Sequence, residues 1–164
     1  MTLQNKKKYV LIFSLIIIMD QISKFLILTE FKRDPFKSIT VIKDFFSLRY
    51  VENSGAVWGI FSHHPNKWIP IGITAFSIIA LIVVIYFFLK IECKCVVELT
   101  SLSFIIGGAV GNITDRIYQG YVVDFIHLYI KQYQWPTFNI ADSFISIGVM
   151  ILVVAIWRGK CTQF

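Results

Sequence analysis

The sequence predicts an all-α membrane protein, a four-transmembrane-helix bundle carrying a small extracytoplasmic β-rich loop that lies on the membrane surface. Three observations predict it. The chain of 164 residues is 56% hydrophobic with a mean hydropathy of +0.68, more apolar than a soluble domain of this size. Four apolar runs are each long enough to cross a hydrocarbon core of about 30 Å at about 1.5 Å per helical residue. The segment joining the first two, residues 29–67, is too long for a turn, and its stretch Ser38–Val51 is rich in β-branched and aromatic residues. Residues 1–164 read as one membrane domain with no second unit.

The first span is expected over Tyr9–Leu28. Lys6, Lys7 and Lys8 precede it as they would a signal peptide. The apolar stretch continues through Asp20 and Lys24 without a small-residue cleavage site, so a retained span is expected. In the loop, Ser38–Val51 carries Ile39, Val41, Ile42, Phe45, Phe46, Leu48 and Tyr50, a composition suited to short strands. Asn53-Ser54-Gly55 reads as a turn, and Trp58, Phe61 and Trp68 suit an interfacial aromatic belt. The second span, Trp68–Leu89, holds no charge. The third, Val96–Ile117, has Gly107 and Gly111 at the spacing of a close-packing face. The fourth is Asn139–Trp157, opening with the pattern of an N-cap followed by an acid at N3.

The net charge of +6 does not point to nucleic acid, because no basic stripe with interleaved aromatics accompanies it. The cations flank spans instead. Lys6, Lys7, Lys8, Lys90, Lys94, Arg158 and Lys160 crowd span ends on one side, which puts both termini in the cytoplasm, although the cations of the long loop nearly balance the count. Cys93, Cys95 and Cys161 have no further ligands nearby in sequence and read as incidental reduced thiols. His63, His64 and His127 fall in loops outside any zinc pattern and read as surface residues. No metal or cofactor is implied.

Polar groups inside a membrane are costly and mark sites. Apart from Glu98, every ionisable group within a span falls towards one face, the outer one. Asp20 lies about 16 Å along the first span, with Lys24 one turn beyond at pairing distance. Asn112, Asp115 and Arg116 share a face at the end of the third span, and Asn139 and Asp142 open the fourth. Asp124 sits in the short outer loop between them, within the apolar run Tyr121–Leu128. Two facing aspartates cannot both ionise comfortably, so one serves as general acid and the other as general base on a water, titrating as a unit. Asp124 and Asp142 are the candidate pair, and Asp115 is a supporting acid. Plainer roles stay open: Asp20–Lys24 as a neutralising pair, Asp115–Arg116 as a helix end, Asn139–Asp142 as a cap.

The motifs Asp20-Gln21-x-x-Lys24, Asn53-Ser54-Gly55-Ala56, Gly107-Gly108-Ala109-x-Gly111-Asn112-x-x-Asp115-Arg116, Val122-Val123-Asp124-Phe125 and Phe138-Asn139-Ile140-Ala141-Asp142-Ser143 occur in this order among four spans. In this the chain resembles the bacterial lipoprotein signal peptidases, also called type II signal peptidases, over nearly its whole length. The resemblance implies an aspartic endopeptidase of the bacterial inner membrane that cleaves a prolipoprotein just before its diacylglyceryl-modified cysteine. It implies Asp124 and Asp142 as the catalytic dyad, supported by Asp20, Lys24, Asn53, Asn112, Arg116 and Asn139. Arg116 and Asn53 would bond substrate carbonyls, Asn112 and Asn139 would orient the aspartates, and the loop Ile39–Trp58 would cover the substrate. Membrane lipids and globomycin-type inhibitors are the other partners implied. Two rivals compete. A small proton-coupled transporter needs polar groups across the whole membrane, and the second span has none. A non-catalytic lipid-binding subunit would tolerate Asp124→Asn.

Overall fold

The computed structural model describes residues 6–34, 37–55, 68–92 and 94–159. The expectations for Ala56, Trp58, Phe61, His63, His64, Cys93, Lys160 and Cys161 lie outside the described residues. Among the described residues, four helices are long and apolar enough to cross a membrane: α1 (Lys7–Phe31), α2 (Trp68–Lys90), α3 (Val96–Gln119) and α4 (Ile140–Trp157). The fold is therefore mostly helical, as the sequence predicts. A small antiparallel sheet joins them, in the order β1 (Ser38–Ile42), β2 (Phe46–Asn53), β3 (Val122–Ile130) and β4 (Tyr133–Gln134).

α3 is the central helix. Of its apolar stretch 61% is buried, against 6% in α2, whose side chains face outward almost all round. Small residues make that centrality possible, because they let backbones approach. A Cβ on Gly107 would stand 2.8 Å from Ile16 Cβ of α1, and one on Gly108 would stand 2.4 Å from the Ala141 carbonyl oxygen of α4. On Gly111 it would meet Asp20 Oδ2 at 2.5 Å. The expected glycine face is thus the seat of α1, and Gly108 between its two glycines is the seat of α4.

The β1–β2 hairpin falls where the composition of the long loop predicts strands. It turns through Asp44 at φ 60°, a left-handed position that Asp tolerates. The second loop differs from expectation. Residues Val122–Ile130 are not an irregular connection but a nine-residue strand paired along β2. Their β-branched and aromatic side chains suit a strand, but the partner lies some seventy residues earlier in the chain. The sheet rests on the far end of α1, where Ile27, Phe31, Tyr50, Val123 and Phe125 form one apolar cluster. That contact accounts for α1 running to Phe31, beyond the Leu28 expected.

Two polar residues are more deeply placed than their sequence context suggests. Lys6 is buried; its Nζ donates to the carbonyls of Phe88, of Leu89 at 3.1 Å and of Ile91 at 2.7 Å, satisfying the open end of α2. His127 is not a surface residue: it is buried on β3, with Nδ1 3.1 Å from Ser47 Oγ and its ring stacked on Tyr129.

Candidate active site

Three local structures converge on one point. α3 ends at Gly120, whose φ of 81° lets the chain turn directly into β3. Asp115 Oδ2 accepts the Val123 N–H at 3.2 Å and ties the first residues of β3 back onto α3. Phe138, just before α4, is stitched to β3: its N–H donates to Ile126 O at 3.1 Å, and its carbonyl accepts from Phe125 and Ile126 at 3.0 and 2.8 Å. Asp124 is therefore locked beside the N-terminus of α4, which carries Asp142.

Asn139 connects the two acids. As N-cap of α4 its Oδ1 accepts the Asp142 N–H at 2.9 Å, and Asp142 Oδ2 accepts the Asn139 N–H at 3.1 Å, a complete capping box. With Oδ1 committed, Nδ2 turns to Asp124 Oδ1 at 2.8 Å. Asn112 works in the same way. Its Oδ1 accepts from Lys24 Nζ at 3.0 Å and from Asn139 Nδ2 at 3.2 Å, so its Nδ2 faces Asp142 Oδ1 at 2.7 Å. The network, by its donors and acceptors, fixes which way both amides point.

Below them lies a buried charged cluster. Lys24 Nζ bonds Asp20 at 2.7 Å, Asp115 at 2.9 Å and Asn112, which uses all three of its donors. Asp20 Oδ1 also accepts the Ala141 N–H in the first turn of α4 at 2.9 Å. Gln21 bridges Asp20, Asp115 and the Gly111 carbonyl. The sequence offers Gln21 only as a position of the Asp20-Gln21-x-x-Lys24 motif, with no role attached. Asp20 and Lys24 are thus a neutralising pair, and one that also holds Asn112 and α4.

Asn53 lies diagonally across the sheet from Asp124. Its Nδ2 donates to Asp124 Oδ2 at 2.9 Å, and its Oδ1 accepts the Gly55 N–H at 3.0 Å. Arg116 Nη2 donates to the Gly55 carbonyl at 3.1 Å, while its buried Nε has no partner among the described residues. Four buried or half-buried carboxyls, Asp20, Asp115, Asp124 and Asp142, thus share two cations, Lys24 and Arg116. Burial, and next the charge of Asp142, push the Asp124 carboxyl up to about 7; the bonds from Asn53 and Asn139 oppose that rise. Asn53, Asn112, Arg116, Asp124 and Asp142 line the polar head of a cavity of about 660 Å³, whose apolar remainder runs between α2, α3 and α4 past Phe76, Leu81 and Ile145.

The family model described as signal peptidase (SPase) II matches residues 12–158. The chain belongs to the signal peptidase II family. Lipoprotein signal peptidase of Francisella tularensis subsp. novicida is 40% identical over 153 residues, 93% of each chain. That of Syntrophus aciditrophicus is 36% identical over 140 residues, 85% of this chain and 86% of its own. A solved bacterial membrane enzyme superposes with a TM-score of 0.79 at 32% identity, covering 96% of this chain and 92% of that one. The protein is accordingly a multi-pass membrane peptidase of the lipoprotein-processing type, acting on prolipoproteins to remove their signal peptides.

Proposed function

We propose that this signal peptidase II is an intramembrane aspartic endopeptidase in which Asp124 and Asp142 share one proton and cleave the bond before a diacylglyceryl-modified cysteine. The observation that carries this reading is the coupling of the two carboxyls through Asn139, at the head of an apolar cavity. Asp124, titrating near 7, holds the proton. Asp142, which accepts from Asn112 and the Asn139 N–H, carries the charge. Water bound between them attacks the scissile carbonyl carbon and gives its proton to Asp142, while Asp124 gives its proton to the carbonyl oxygen. The resulting gem-diol collapses as Asp142 passes its proton to the leaving amide nitrogen and Asp124 recovers one from a hydroxyl. Arg116 Nε is available to bond a substrate carbonyl, and the apolar cavity suits lipid chains and the signal helix. The same cavity would take a globomycin-type inhibitor. Both termini are assigned to the cytoplasm and the dyad to the outer face, following the cation density at the span ends.

A gel-shift assay tests this. Purified protein is mixed with a diacylglyceryl-modified prolipoprotein. The wild type yields shortened product, and Asp124→Asn and Asp142→Asn yield none while each still unfolds in one cooperative thermal transition. Product from either variant overturns the dyad.

A further inference from the structure

At the end of the bundle remote from the aspartates, the start of α3 and the end of α4 enclose a second cavity of about 480 Å³. Glu98, in the first turn of α3, lines it. At about 1.5 Å per residue it stands about 21 Å along the helix from Asn112, so the two cavities serve opposite membrane boundaries. Glu98 is only 3% exposed, and its Oε1 has no hydrogen-bond partner among the described residues. The other buried acids, Asp20, Asp115 and Asp124, all have donors. A buried carboxyl oxygen without a donor is costly, so a donor from outside the chain is the natural complement.

The surroundings define that donor. Arg158, exposed at the C-cap of α4, and Lys94, also exposed and paired with Glu92 at 2.9 Å, line the same cavity. The wall between is apolar: Val96, Met150 and Val154 are exposed outward, so the cavity opens sideways to the medium around the spans. A free cation would leave the apolar wall and the two basic residues unused. A purely anionic lipid such as phosphatidylglycerol would bring Glu98 only neutral hydroxyl donors and no cation, a weaker partner for a buried carboxylate than an ammonium. We propose that this cavity holds one phospholipid whose headgroup carries both a phosphate and a primary ammonium. The ammonium donates to Glu98 Oε1, the phosphate lies against Arg158 and Lys94, and an acyl chain follows Val96, Met150 and Val154.

Native mass spectrometry of the detergent-solubilised protein tests the assignment with three lipids of matched chains. Phosphatidylethanolamine has N–H donors, phosphatidylcholine has a cationic headgroup without them, and phosphatidylglycerol is anionic. The wild type should retain phosphatidylethanolamine on the order of tenfold better than phosphatidylcholine, the factor expected for one charged hydrogen bond. Glu98→Leu should abolish that preference, with prolipoprotein cleavage retained as evidence of folding, and Arg158→Gln should weaken retention of all three. Equal retention of phosphatidylethanolamine and phosphatidylcholine by the wild type overturns the proposal without recourse to any variant. A preference for phosphatidylglycerol overturns it too, as does a preference that survives Glu98→Leu.

Discussion

Replacing Asp124 with Asn should abolish turnover and at the same time remove a loss of stability that the wild type suffers as pH rises. Asp124 is 3% exposed, and its carboxyl titrates near 7 in the folded protein against 3.8 for the free side chain. The folded state keeps this proton where the unfolded chain has lost it. The group's contribution to stability is therefore complete below the unfolded value and disappears as pH climbs through about 7. Between about pH 5 and pH 8 the folded state forfeits about two pKa units, or roughly 3 kcal/mol at about 1.36 kcal/mol per unit. Asparagine does not titrate, so the variant escapes this. It carries instead a pH-independent penalty. Both oxygens of Asp124 accept from amide donors, Asn53 and Asn139, and the new amide group must face one of them. Neither neighbour can turn without giving up the Gly55 or Asp142 N–H, so about 1–3 kcal/mol is lost. The variant should be the less stable protein near pH 5 and should gain roughly 3 kcal/mol on the wild type by pH 8. Thermal unfolding in neutral-detergent micelles across this range measures the difference, and the cleavage assay should record no product above background. A stability difference that stays constant with pH, or that moves against the variant as pH rises, refutes the reasoning.

Two further outcomes are expected. Lys24→Met strands Asp20 and Asp115 in a buried site and should cost about 3–5 kcal/mol; adding Asp20→Asn and Asp115→Asn should restore part of the lost thermal midpoint. Gly108→Ala puts a methyl 2.4 Å from the Ala141 carbonyl and should cost about 1–3 kcal/mol; because it displaces the turn that bears Asp142, kcat should fall more than the melting temperature suggests.

Much of the site was legible along the chain. Asn139 and Asp142 advertise a cap by spacing alone, and the capping box is there. Asp20 and Lys24 sit one turn apart and pair. Gly107 and Gly111 mark the face on which α1 packs. Each of these depends on helical periodicity, which is written within a few residues. The strand β3 was not legible, because its hydrogen-bond partner is β2 across two intervening spans. Read by itself, Tyr121–Leu128 is simply an apolar run. The burial of His127 was hidden for a related reason: a loop position suggests the surface, and only packing against Ser47 reveals otherwise; Lys6 flanks the first span as expected, but its burial against Phe88 shows only in the packing.

The number of spans, and the end of the bundle at which the polar groups gather, can be read along the chain. These follow from run length and from three- and four-residue spacing, which are local properties. Which oxygen each donor serves is settled by long-range packing. Asn53 reaches Asp124, Lys24 reaches Asn112 and Ala141 reaches Asp20 across separations of 71, 88 and 121 residues. A buried polar group must find its partner wherever the packed helices bring one, and no local pattern in the chain records that meeting.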